Sequence, residues 1–453
     1  MSLLLVVLLA CGEKAPDRVA LGPVEAATVV DVSVFTGEGD AALQHQDVFI
    51  EEGRIRGLGP TGAQAPRGRV VAGAGRTLLP GLIDAHVHIT AAPFMPGAVQ
   101  LPDVSDNLQA WLVAGVTMVY DMGGPPRMVA ATVRKLASGE QLGPRVRWST
   151  ATITVPGGHP IRAIKALLPR PLGSMLAGQV PVIAHPDEAD ALVAELLRDG
   201  PEAVKIIADN LPSDTPKMDA PRLTALVAAA HARGKRAFVH VQREEDALMA
   251  AQAGADALVH GILGGRLSEE GAAALGRAGL PIVWTGSGFD ATERLARGQW
   301  TASAMDRDLF PAALLATMEG AAGLGLGSAP VVGQFAAELS PLRADWGENL
   351  RRAARAGVPI LVGSDSPLPA DLPGSSLHAE LQWLVEQGLS PAEALRGATS
   401  AAARLYDETD RGVIAAGKVA DLLLVEGDPL TDIGATAAIV QVWQGGRAVQ
   451  RLR

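Results

Sequence analysis

A chain of 453 residues, 48% hydrophobic and 19% charged, has ordinary globular composition and is long enough for one large domain plus a smaller one. The net charge of −10 is not accompanied by any basic block, which argues against nucleic acid as a partner, because phosphate binding needs clustered Lys and Arg. Beyond the amino-terminal residues no apolar run is long enough to span a bilayer, and no short repeat of the solenoid or propeller kind appears.

Residues 3–10, Leu-Leu-Leu-Val-Val-Leu-Leu-Ala, form an apolar run that stops at Cys11. The run is too short for a transmembrane helix and suits a signal-peptide core. Leu8-Leu9-Ala10-Cys11 resembles the bacterial lipoprotein box. The resemblance implies that residues 1–10 are removed, that Cys11 is lipidated, and that residues 11–25 link the anchor to the fold. The protein would then sit at the bacterial cell envelope, touching membrane through the lipid alone. The alternative is a buried strand with an incidental cysteine. No other cysteine is present, so the fold has neither disulfides nor thiolate metal ligands to draw on.

Residues 26–78 alternate short strand patterns with Gly- and Pro-rich gaps: Ala27–Phe35, Asp47–Glu51, Gly53–Gly57 and Gly68–Val71. Similar segments return at Ala420–Val425, Ala438–Trp443 and Gly445–Val449. The expectation is a small antiparallel, β-sandwich-like domain made from both chain ends, 26–78 plus 410–453. Between them, over 79–409, apolar strands alternate with Ala/Leu-rich helices. Strands are predicted at 79–85, 116–121, 146–153, 203–208, 236–241, 256–260, 281–285 and 359–364, and helices at 128–138, 187–199, 219–233, 244–253, 268–278 and 346–356. Several helices end in glycine before the next strand, as at Gly200, Gly234, Gly254, Gly279 and Gly357. This is the pattern of an α/β fold with a (β/α)8 TIM-type barrel. An open doubly wound sheet is the alternative, weakened because no Gly-rich phosphate turn follows the first strand.

Six side chains able to bind or bridge metal fall at or near strand ends. His86 and His88 project together because residues i and i+2 of a strand share a face. Lys205 lies inside an apolar strand, His240 lies in the fifth strand, His260 ends the sixth, and Asp365 follows the eighth. For any one of them the bland reading is a core or surface residue. Six at once obey the rule that barrel active sites are built from the carboxyl ends of several strands.

This constellation resembles the amidohydrolase superfamily of metal-dependent hydrolases, closest to its imidazolonepropionase-like and metal-dependent dipeptidase (prolidase) branch. The motifs are Pro80-Gly-Leu-Ile-Asp-Ala-His-Val-His88, Val204-Lys-Ile206, Phe238-Val-His-Val241, Ala253-Gly-Ala-Asp-Ala-Leu-Val-His-Gly261, Gly363-Ser-Asp-Ser366 and the tail Gly417-Lys-Val-Ala-Asp-Leu-Leu-Leu-Val425. Thr154-Val-Pro-Gly-Gly-His159 looks like the Gly-Gly-His loop of that branch. The resemblance implies two divalent metal ions, with zinc favoured by all-N/O ligands. His86 and His88 would hold the more buried ion, His240 and His260 the more exposed one. A carbamylated Lys205 would bridge both. Asp365 would ligate the first and take a proton from a bridging water whose pKa falls from about 15.7 towards about 7. The implied reaction is cleavage of an amide C–N bond by metal-bridging hydroxide attack.

His159 would hydrogen-bond the substrate carbonyl or merely cap a turn. His378 reads as a supporting or structural residue, Asp121 as a turn or supporting residue rather than a ligand, and His45, His185 and His231 as solvated. Long loops at 89–108, 155–181 and 286–345 would shape a partly apolar pocket for a small-molecule substrate. Within them Arg162, Lys165 and Arg170 could meet an anionic group or form a solvated face. Gln242-Arg243 after His240 differs from several dipeptidases of the branch, which weighs against dipeptide specificity; N-acyl amino acids and cyclic amides are the other substrates expected. A lactonase or phosphotriesterase is the related alternative, and a non-catalytic binding lipoprotein the alternative of another class. Homo-oligomerisation stays open.

Overall fold

The computed structural model describes residues 18–92, 104–167, 171–210, 213–323, 330–368 and 370–452. The lipidation site Cys11, the leader 1–10 and Arg170 lie outside them. Strands from both chain ends are hydrogen-bonded into one nine-stranded sheet. The stretch expected to be a linker contributes an edge strand, Val19–Val24, antiparallel to Arg447–Arg451. Instead of a purely antiparallel sandwich, this is a single mixed sheet. Ala27–Val34 runs parallel to both Arg69–Ala72 and Arg76–Pro80, because long connections return the chain in the same direction. Val29, Val48, Ile50, Leu422 and Leu424 fill its apolar side.

The run 79–85, expected as one strand, is divided. Arg76–Pro80 pairs with Leu422–Glu426 in the mixed sheet, and Leu82–Val87 opens the barrel core. Gly81 is the joint: a Cβ there would lie 2.3 Å from Thr117 Oγ1, so only glycine lets the chain pass.

The barrel core has a three-stranded parallel run, Leu82–Val87, Val116–Asp121 and Arg145–Trp148, and a five-stranded parallel run from Ala203–Ile207 to Ile360–Val362. Parallel bridges Ser149–Ala203 and Val87–Ser366 join the two runs at both edges. Ile83, Met118, Phe238, Val259, Val283 and Leu361 point inward into one cluster. Val119, Val204, Val239, Leu258 and Val362 point outward against the helices. This in–out alternation is what buried parallel strands require.

The glycines expected to end helices do so with positive φ, as at Gly254 (+83°) and Gly279 (+60°). The segment 286–345, expected as a loop, is mostly helical: Gly286–Ala296, Ala304–Leu309, Ala312–Gly323, Pro330–Leu339 and the start of Arg343–Arg355. A helix Val104–Val113 likewise begins within the expected loop 89–108.

Candidate metal centre

Four of the predicted ligands stand where a strand stops being regular. Ile83 and Ala85 face the barrel interior, whereas Val87 and Ile89 belong to the outer cluster. Between Asp84 and Val87 the register against the next strand shifts. Such a bulge re-aims the side chains beyond it, so His86 and His88 turn inward at the carboxyl end. His260 (φ +68°) and Asp365 (φ +65°) reach the same place through left-handed backbone. His and Asp adopt that conformation more readily than most residues, at a cost of ~1–3 kcal/mol each.

The four side chains meet at one point. Asp365 Oδ1 lies 3.1 Å from Nε2 of His86 and 3.1 Å from Nε2 of His88, and Oδ2 lies 3.6 Å from Nδ1 of His260. One ligand atom each from His86, His260 and Asp365 falls within 4.8 Å of the others. His86 is fully buried, and neither of its ring nitrogens makes a hydrogen bond. Burial, reinforced by the charge of Lys205, pushes its pKa down to about 3, so it is a neutral lone-pair donor. Burial opposes ionisation of Asp365, but the facing His86 and His260 outweigh it and hold the carboxyl well below the usual range.

His240 joins from the fifth strand, its ring centroid 4.1 Å from that of His260. His159 stands 5.4 Å from the ring of His240, in the loop after the third strand. Lys205 is 2% exposed in its strand, and no carboxylate among the described residues lies within ion-pair distance. Burial, only partly opposed by Asp365, Asp121 and Asp209, lowers its pKa to about 7. All six candidate ligands and His159 therefore reach the carboxyl end of the barrel. Buried imidazoles, a buried lysine with no carboxylate in ion-pair distance among the described residues and an ionised carboxylate form a donor set that fits divalent metal ions.

Sequence reasoning missed the residues that hold this arrangement. Asp84 accepts from Ser364 N at 2.9 Å and Ser364 Oγ at 2.6 Å, tying the first barrel strand to the last beside His86 and Asp365. Asp209 accepts from His240 Nε2 at 2.9 Å, and Thr285 Oγ1 lies 2.8 Å from His260 Nδ1. The signal for Asp84 was its place two residues before His86; Asp209 and Thr285 offered none beyond being polar residues just past a strand.

The other polar residues settle elsewhere. His378 is buried between Ala114 O (2.8 Å) and Thr436 Oγ1 (3.0 Å), bracing the helix Ser375–Glu386. Asp121 accepts from the amides of Ile89, Gly123 and Gly124, a turn role. His45 and His231 are solvent-accessible partners of Asp31 and Asp256, and His185 is exposed. Arg162 is engaged by Asp214 and by Gln334 Oε1 at 3.0 Å, so it is not a free cation; Lys165 is exposed.

Comparison with known proteins matches this geometry to a family. The model of the amidohydrolase family matches residues 77–449. Over 92 residues the chain is 36% identical to dihydropyrimidinase of Rattus norvegicus, a stretch covering 19% of this chain and 17% of that protein. Among solved structures it is similar to an Xaa-Pro dipeptidase with methionine in its active site, with a TM-score of 0.74 and 22% identity over 93% of this chain and 99% of that one. A prolidase complexed with N-methylphosphonate-L-proline gives a TM-score of 0.72 and 23% identity over 94% and 100%. Molinate hydrolase gives 0.71 and 22% over 95% of each chain. These likenesses place a TIM-barrel core beside a β-rich domain, and the family match runs through both: the chain belongs to the amidohydrolase family.

Proposed function

We propose that the chain hydrolyses the C–N bond of a small amide, of the dipeptide, N-acyl amino acid or cyclic amide class. Two divalent metal ions, zinc above all, would be held by His86, His88, Lys205, His240, His260 and Asp365. The observation that carries this reading is the convergence of three strand-end irregularities on one carboxylate, Asp365, with two histidine nitrogens each 3.1 Å away. The family match and the prolidases among the structural neighbours favour an amide substrate.

Bound metal supplies water activation and polarisation of the scissile carbonyl. The chain's own residues do the rest. Lys205, with its pKa near 7, has an unprotonated amine available at neutral pH, the form that adds to CO2 to give a carbamate with two anionic oxygens. The carboxylate of Asp365 is ionised and positioned to accept a proton from the attacking water and pass it to the leaving nitrogen. His159 lies on the His240 side of the centre, where a ring N–H can donate to the substrate carbonyl oxygen. Phe289, 5.7 Å from His260, presents an apolar wall against which a side chain of the substrate would pack.

Elemental analysis of protein purified without chelator should find two metal ions per chain, and Lys205→Ala should lose metal and activity together, with partial recovery in a small carboxylic acid. The metal-loaded protein is then assayed against dipeptides, N-acyl amino acids and cyclic amides, with lactones and phosphotriesters alongside. Turnover confined to the last two classes would overturn the C–N assignment.

A further inference from the structure

The two histidines assigned to the more exposed ion are braced by chemically different partners. His260 Nδ1 faces the hydroxyl of Thr285, which can donate or accept and so leaves the ring's tautomer free. His240 Nε2 faces Oδ2 of Asp209 at 2.9 Å. An ionised carboxylate can only accept, so the proton of the neutral His240 ring must sit on Nε2, and the lone pair on Nδ1.

The backbone holds Asp209 in this place. It lies two residues past Ala203–Ile207, and the amide of Ala208 donates to His240 O at 3.0 Å, fixing the two strand ends against each other. Asp209 is 2% exposed, and its Oδ1 has no hydrogen-bond partner. No lysine among the described residues lies within ion-pair distance of it, and its hydrogen bond is to His240. Lys217 pairs with Asp246 at 2.6 Å, and no carboxylate lies within ion-pair distance of Lys205 among the described residues. His240 is the side chain to which Asp209 is hydrogen-bonded, with the charges of His159 and Lys217 acting from farther away.

We propose that Asp209 is a positioning residue for the metal centre: its buried carboxylate pins the His240 proton on Nε2 and commits Nδ1 to the metal. The proposal rests on the reading of His240 as a ligand. It makes His240 the more strongly donating of the two rings, because hydrogen bonding to an anion raises the basicity of a ligating imidazole.

The test is a chelator-competition titration with Co²⁺, followed by visible absorption, on wild type, Asp209→Ala and Asp209→Asn. The wild type should take up two ions. Asp209→Ala should lose about 100-fold in affinity for one of them, with a changed spectrum for that ion and the other bound as in wild type. Asp209→Asn keeps an accepting oxygen without the charge and should lose about 10-fold, the low end of such effects. If Asp209→Ala does not fold by circular dichroism, the Asn variant decides alone. Variants that bind both ions like wild type overturn the proposal, as does a loss shared equally by both ions, which would mark a general effect on the fold. The wild-type arm separates the two levels: no Co²⁺ uptake refutes the metal centre itself, whereas normal uptake with indifferent variants refutes only the role of Asp209.

Discussion

A methyl group on Gly363 should disable the metal centre while leaving most of the fold in place. Gly363 follows the eighth strand and does not have the positive φ that would strain an alanine. Its new Cβ would stand 2.7 Å from His86 Cβ, 2.9 Å from His86 N and 2.7 Å from Val283 Cγ1. Ordinary contact begins near 3.4 Å, so about 0.7 Å must come from movement, and the contacts are with the backbone and Cβ of His86 rather than a flexible tip. Functional constellations tolerate displacements of about 0.5 Å. Overpacking of this kind costs ~1–3 kcal/mol, too little to unfold most domains. Gly363→Ala should therefore show a modest drop in the urea midpoint of the metal-free protein and a large drop in metal affinity by chelator competition. Gly265→Ala, where an added Cβ meets nothing within 4 Å, is the control. Wild-type metal affinity in Gly363→Ala would refute the claim that His86 is held by close packing against the last strand.

Two further substitutions probe the proton chemistry and the electrostatics around it. Asp365→Asn, assayed at confirmed full metal occupancy, should lower kcat by about 10²–10⁴-fold if the carboxylate shuttles the proton; near wild-type turnover would hand that role to His159. Glu380 is buried, where it accepts from the amides of Gly286 (3.0 Å) and Ser287 (2.6 Å), and burial raises its pKa from 4.5 to about 7. Because the folded state binds this proton more tightly than the unfolded state, its contribution to stability is greatest below about pH 4.5 and is lost as pH rises towards 7. The stability difference between Glu380→Gln and wild type, measured by urea titration across pH 4–8, should shift in favour of the Gln variant as pH rises; a pH-independent difference would show that Glu380 does not titrate in this window.

What the sequence disclosed and what it hid follow from the range of the interactions involved. Alternation within a strand placed His86 and His88 on one face, and glycine after a helix marked its end, as the positive φ at Gly254 and Gly279 shows. Both are local effects. The phase of the first barrel strand was not readable, because the bulge after Asp84 is set by pairing with Val116–Asp121. Nor was the division at Gly81 readable, since the reason for it, Thr117, lies far along the chain. Asp84 and Ser364 are 280 residues apart and Asp209 and His240 are 31 apart, so neither pair leaves a spacing that a motif could register. The helices of 286–345 were obscured by their mixed Gly, Pro and Met content, although Ser303 and Asp306 form a capping box that announces one of them.

The location of the strain explains why the support for this site had to be long-range. Three of the residues brought to the centre depend on backbone that a strand would not choose: a bulge at His86 and left-handed turns at His260 and Asp365. Strained backbone persists only where its surroundings over-determine it. For His86 and Asp365 the surroundings are the seam between the first and last barrel strands, and for His260 the neighbouring Thr285. Asp365 N donates to His86 O at 2.8 Å, His88 N donates to Ser366 O at 2.8 Å, and Asp84 clasps Ser364. The same hydrogen bonds that join Leu82–Val87 to the segment after Ile360–Val362 also fix His86, His88 and Asp365 relative to one another. The seam therefore carries two tasks at once. A change that loosens it alters the metal geometry directly, whereas the large apolar clusters on either side of the strands can absorb losses of packing without moving a ligand.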